Sequence, residues 1–172
     1  MGCDIHMYVD HSPKGRRGEE GRYWQSFGGR INPGRNYNIF GMIAGVRSND
    51  EPMFPVRGEP ENMSFLAAWD AYLYVTDGDE GEGSCTRKNA ESWITAGYAT
   101  GVYDTSGKLT KVSHPDWHSQ TWLTSEEFGQ LLDSARKKHV GFGIQWDALR
   151  AAMKALEDGG DNDVRVVIWF DN

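Results

Sequence analysis

With 172 residues, 38% of them hydrophobic and 12% aromatic, the chain can build one domain with a real core and leaves little room for two. A formal net charge of −7 excludes bulk, sequence-independent nucleic-acid binding, because no cation excess exists to release counterions from a phosphate backbone. Cys3 and Cys85 are the only cysteines and no run reaches the length of a membrane span, which excludes a disulfide-built scaffold and a helical membrane anchor.

Cys3 to Asp10 alternates strictly. Cys3, Ile5, Met7 and Val9 share one face, and Asp4, His6, Tyr8 and Asp10 the other, which predicts a half-buried strand. His11 to Gly21 is polar and Gly-rich and reads as a loop, and Tyr23 to Arg35 as an ordered loop carrying Trp24, Phe27 and Asn32-Pro33-Gly34. Asn36 to Ala44 predicts a short helix with Tyr37, Phe40 and Ala44 on one stripe and Gly45 as its stop. Arg47 to Asn62 holds three of the six prolines and should be irregular. Ser64 is placed to cap a helix carrying Leu66, Trp69 and Leu73. Asp77 to Glu82 is an acidic surface loop that fails the calcium-loop pattern. Thr86 is placed to cap a helix running to Gly97, so Cys85 falls at a helix start, where a thiol pKa can drop.

Tyr98 to Tyr103 and Lys108 to Val112 predict a hairpin, and Ser113 to Thr121 a polar loop rich in Trp and His. Thr124-Ser125-Glu126-Glu127 is a capping box opening a helix with Phe128, Leu131, Leu132 and Ala135 inward. Trp146, Leu149, Met153 and Leu156 mark another helix, ended by Gly159-Gly160, and Val164 to Phe170 a last strand. First and last segments are thus strands with helices between them. The expected fold is α+β: a single domain over 1–172, with a mostly antiparallel sheet that includes the N- and C-terminal strands and helices packed on it. An α/β arrangement is the second choice.

Three groups of residues carry chemistry. Asp4 and His6 lie two apart on one strand face, where a carboxylate can fix an imidazole's tautomer and raise its basicity; the other reading is the solvent side of a sheet. His114-Pro115-Asp116-Trp117-His118-Ser119 can complete a His/Asp site, with Asp4, His6 and His118 as catalytic candidates, or it is a loop pinned by its own hydrogen bonds. A metal, if one is used, would sit among Asp4, His6, Asp116 and His118, although no strict metal motif is present. The arginines crowd into the first third: Arg16, Arg17, Arg22, Arg30, Arg35, Arg47 and Arg57. Arg30, Arg35 and Arg47 beside Tyr37 form an anion seat, or they pair with the chain's own acids. Trp24, Tyr37 and Trp117 can stack on a base, and Ser119 completes the ligand-binding set.

Met-Gly-Cys-Asp-Ile-His, Arg35-x-Tyr37-x-x-Phe40-x-x-x-Ala44-Gly45-Val46-Arg47 and Asp116-x-His118-Ser119-x-Thr121-Trp122-Leu123-Thr124 together resemble a family of small bacteriophage proteins without a settled activity. The resemblance spans most of the first 125 residues. It implies an accessory protein working in the cytoplasm of an infected bacterium, where many defences signal through modified nucleotides. The expected function is capture of a small anionic nucleotide-like signal. The alternatives are a phosphoesterase using His6 and His118, and an inhibitor that blocks a host factor through exposed Trp117 and Trp122. Whether the chain is an enzyme, which cofactor it takes and whether copies share a pocket as a homo-oligomer are left open.

Overall fold

The two ends of the chain pair with each other along nine residues, Ile5↔Phe170 through Pro13↔Asn162. The computed structural model describes residues 2–13, 17–18, 21–49, 51–160 and 162–171. Met1 and Arg16, like positions 14–15 and 19–20 of the expected His11–Gly21 loop, lie outside the described residues.

In chain order the elements are strand β1 (Ile5–Pro13), two-residue strands β2 (Arg17–Gly18), β3 (Gly21–Arg22) and β4 (Gln25–Ser26), helices α1 (Tyr37–Ala44) and α2 (Phe65–Ala71), and strands β5 (Tyr72–Thr76) and β6 (Ser84–Thr86). Then come helix α3 (Arg87–Thr95), strands β7 (Gly101–Tyr103), β8 (Leu109–Ser113) and β9 (Trp117–Thr124), helices α4 (Ser125–Lys137) and α5 (Ile144–Gly160), and strand β10 (Asn162–Asp171). One sheet has the order β4-β1-β10-β9 and is antiparallel throughout. A second, β6-β5-β8-β7, is antiparallel except for the β5–β6 pair. The fold is a single compact α+β domain, with its first and last long strands side by side.

The helix ends follow the local chemistry. Ser64, Thr86 and Thr124 each accept a hydrogen bond from the amide three residues on, and Glu127 closes the capping box at Thr124. Such caps are worth about 1 kcal/mol each. Gly45 ends α1 in the left-handed conformation, φ 68°, with its amide bonded to Gly41 O at 2.8 Å. The stripe that α1 buries is Ile39, Phe40 and Ile43, while Tyr37 is 41% exposed.

The first sheet is covered on both faces. Cys3, Ile5, Met7 and Val9 of one face, with Val166, Ile168 and Phe170 of β10, meet α1, α4 and α5 in the main core around Phe40, Phe128 and Trp146. The opposite face was a choice between a site and a solvent side. It is neither open nor apolar: His6, Tyr8 and Asp10 are only 9%, 6% and 0% exposed. Ala67 of α2 and Met63 before it pack there against Tyr8, Val167 and Trp169. Asp10 and Arg165 make a buried pair at 3.4 Å, and they tie down the segment before α2 through Ser64 N, Glu61 O and Asn62 O. Arg57 grips Glu127 with both terminal guanidinium nitrogens, Nη1 and Nη2, and fastens the irregular Arg47–Asn62 segment to α4.

Four expectations change. Of the expected His11–Gly21 loop, His11–Pro13 continue β1, and Arg17–Gly18 and Gly21 belong to the paired strands β2 and β3. Ser113–Thr121 is not a loop throughout, because Trp117–Thr124 pairs with β10 as an edge strand, and ladder hydrogen bonds outweigh its weak apolar pattern. Leu73 belongs to β5 rather than to α2, which stops at Ala71. Cys85 lies in β6, not at a helix start, and burial pushes its thiol pKa up; Cys3 is also raised by burial. The acidic loop is tied to the second sheet's helix. Asp77 bonds Arg87, and Glu80 accepts from Thr86 N and Asn89, contacts that hold both carboxyls below the ordinary range.

Candidate functional site

The turn His114–Asp116, between β8 of the second sheet and β9 of the first, lies against the start of β1. A hollow of about 470 Å³ opens there, lined by Asp4, His6, Arg30, Asn32, His114, Asp116, Trp117 and Asp171. Strand alternation explains the membership: Asp4 and His6 share a face of β1, and Asp171 stands at the matching end of β10, its amide bonded to Asp4 O at 3.2 Å.

His6 is the centre of a relay. Its Nε2 lies 2.9 Å from Asp171 Oδ2, and its Nδ1 lies 3.2 Å from Arg30 Nη1. A guanidinium only donates, so Nδ1 accepts and Nε2 carries the proton to Asp171. Arg30 also lies 3.6 Å from Asp70 Oδ2, and Asp70 accepts from the Tyr8 hydroxyl at 3.0 Å. Burial and the Asp70 charge push the Tyr8 pKa well up. Burial alone would raise the Asp171 carboxyl, but the bonds from His6 and from the Asp4 amide, at 2.9 Å, outweigh it and hold the carboxyl below its usual value. Asp4 itself is clasped by Arg35, Nε to Oδ1 at 2.5 Å and Nη2 to Oδ2 at 2.9 Å, which lowers its pKa. Gly2 makes room for that clasp, since a methyl group there would collide with the guanidinium.

Trp117 forms the wall. It stacks on His114 at 4.6 Å and on Trp169 at 5.1 Å, and lies 5.3 Å from the His6 ring. Burial lowers the His114 pKa, opposed by Asp116 at 3.9 Å. On the other side of Asp116 and Trp117 lies a second hollow of about 830 Å³, with Tyr98, Thr100, His118 and Ser119 in its lining.

The sequence-derived residues therefore divide. Asp4, His6, Arg30, Asp116 and Trp117 come together, with Arg35 behind Asp4. His118 does not join them: it pairs with Phe170 on the opposite face from Trp117, its ring 6.2 Å from Phe170 and its Nδ1 2.9 Å from Ser119 Oγ. The metal set Asp4, His6, Asp116, His118 is broken for the same reason, and among the described residues no group of three or more His, Cys, Asp or Glu is placed to hold a metal ion. Ser119 sits at the β9 irregularity with φ 54°. Arg47 reaches the Cys3 thiol on the core side of β1, and Tyr37 accepts the Cys3 amide at 3.4 Å, so both miss the hollow. Trp24 stands at the far end of the face, with Arg165 over its ring at 3.7 Å. Trp117 and Trp122 are half-buried, and Arg57 lies 4.5 Å from the Trp122 ring.

His114 belonged to the cluster read from the sequence but carried no role. Asp171, Asp70 and Asn32 were missed. An acid directly after the apolar run Val166–Phe170, and a lone acid in the otherwise apolar helix Phe65–Ala71, were the available signals. Comparison with protein-family models, with curated proteins and with solved structures finds nothing that matches the chain. Among the described residues no helix is long and apolar enough to cross a membrane.

Proposed function

We propose that this protein captures a small anionic nucleotide-like molecule in the Asp4–His6 hollow, as a bacteriophage accessory protein acting on a defence signal in the host cytoplasm. The observation that carries this is Arg30. It lines the hollow, is half-exposed, and has no two-pronged carboxylate partner among the described residues, whereas Arg35 is committed to Asp4. One phosphate can take its fork. The carboxylates of Asp116 and Asp171 suit hydroxyl donors of a ribose and disfavour a long polyphosphate, so the ligand brings few charges and several hydroxyls.

Capture is favoured over cleavage because both ring nitrogens of His6 are occupied, and the described residues of the lining include no Ser, Thr, Cys or Lys to act as a nucleophile. The hydrolase reading keeps one specific support, the Asp171–His6 dyad, with His114 in the place first given to His118.

Calorimetry with a panel of cyclic dinucleotides and ADP-ribose isomers, followed by separation of the products, tests both readings. Heat with intact ligand supports capture, and Arg30→Ala should then weaken binding about 10- to 100-fold, the value of a charge-assisted bond. Cleavage that vanishes in His6→Ala moves the protein to the hydrolases. No heat from any panel member defeats the proposal.

A further inference from the structure

We propose that anion binding in this hollow is coupled to proton uptake by His6, with Arg30 as the moving part; this rests on the capture reading above. As long as Arg30 donates to His6 Nδ1 at 3.2 Å, that nitrogen cannot hold a proton, because two donors would face each other. Nε2 is already committed to Asp171 at 2.9 Å, so the free protein stores a neutral imidazole between a carboxylate and a guanidinium.

Arg30 is held loosely. Its bond to His6 is single-pointed, its second contact is a 3.6 Å approach to Asp70, and its side chain is 50% exposed. Asp70 is shared with the Tyr8 hydroxyl at 3.0 Å. A phosphate diester or monoester offers a forked acceptor and draws Arg30 away. Nδ1 is then empty, the repelling cation has left, and a new negative charge has arrived.

The groups facing His6 favour its cation at that moment. They are Asp171 from β10, Asp4 just before β1 with Arg35 clasped on it, Asp70 on α2 through Arg30, and Asp116 from the turn before β9, set against the imidazole of His114 on the same turn. An imidazolium would donate from Nδ1 to the ligand and from Nε2 to Asp171 at once. The complex thus holds one more proton than the free protein. Affinity then rises as pH falls, by at most about tenfold per pH unit for one proton taken up.

The test is calorimetry at one pH in two buffers of unlike ionisation heat, repeated between pH 5 and 8, with ADP-ribose and a cyclic dinucleotide as probes. Their phosphodiester and pyrophosphate groups do not titrate in that range. The expected result is uptake of up to one proton in the parent and none in His6→Gln, whose amide can still donate to Asp171. Independently of that variant's folding, the Nδ1 resonance of His6 in ¹⁵N-labelled parent protein should pass from the bare to the protonated type on saturation. Heat without proton uptake at every pH overturns the coupling and leaves capture standing. Uptake that persists in His6→Gln overturns the assignment to His6. No heat from either probe defeats this proposal together with the capture of these ligands.

Discussion

Along one face of β1 the chain twice sets a carboxylate against a cation, and it finishes the two pairs in opposite ways. At Asp10 the pair is closed. Asp10 is fully buried and Arg165 nearly so; Asp10 Oδ2 also accepts from Ser64 N, Arg165 Nη2 also donates to Glu61 O and Asn62 O, and Trp24 stacks over the guanidinium. At Asp4 and His6, about 13 Å back from Asp10 to His6 at 3.3 Å per residue, the relay ends at a hollow and a half-exposed Arg30. The same alternation produced both. A polar row on a strand therefore does not mark a site by itself; what separates site from scaffold here is whether the pair is buried under the chain or left open at a hollow.

The sharpest way to break that contrast is Asp10→Ala. Removing one partner of a buried pair leaves the other's charge, here that of Arg165, less compensated in a buried place, and costs about 3–5 kcal/mol. Denaturant unfolding should show this loss, and the folded fraction should bind ligand as the parent does. A double substitution, Asp10→Leu with Arg165→Met, should recover much of it, since an apolar pair of similar volume avoids the desolvation of two charges. A loss below about 1 kcal/mol in Asp10→Ala would mean that the inner pair is no more structural than the outer one.

A smaller effect separates the two ends by pH. The folded Asp171 carboxyl sits below its unfolded value because the His6 and Asp4 bonds outweigh burial. Its contribution is therefore fully present above the unfolded value, about 3.9, and is lost as pH falls through the folded value. Asp171→Asn should be less stable than the parent at pH 6, and the two should converge as pH drops toward 3. The measurement is the denaturation midpoint of each across that range; a gap that stays constant would show that the carboxylate's charge is not what ties β10 to His6.

The part of this architecture that was legible in the sequence is local. Alternation over Cys3–Asp10 named the two faces, and Ser64, Thr86, Thr124 and Gly45 announced helix ends that the structure confirms. The rest depended on long-range pairing. Asp171 enters the site through a strand register that spans 165 positions, from His6, and nothing near Asp171 in sequence says so. The exchange of His118 for His114 has the same origin. Read as a loop, His114 to Ser119 leaves both imidazoles free to turn to the site; as strand β9, it sends Trp117 and His118 to opposite faces. The β9 irregularity at Ser119 spoils the period of two that would have betrayed the strand.

Ser119 supplies the finest cut between site and scaffold. It was placed in the ligand-binding set, yet its backbone is what matters in the structure, with φ 54° at the point where β9 slips against β10. A left-handed backbone costs a residue with a Cβ, and glycine adopts it freely. Ser119→Gly removes that strain, gives up the Oγ contact to His118 Nδ1 at 2.9 Å, and loosens the unfolded chain. These effects oppose one another, so stability should change by no more than about 0.5 kcal/mol in thermal unfolding, as for most substitutions away from special features. Affinity in the Asp4–His6 hollow should be unchanged, because Ser119 lines the neighbouring hollow across Trp117. A tenfold loss of affinity with stability intact would instead make the two hollows one ligand site, with Trp117 inside it rather than at its wall.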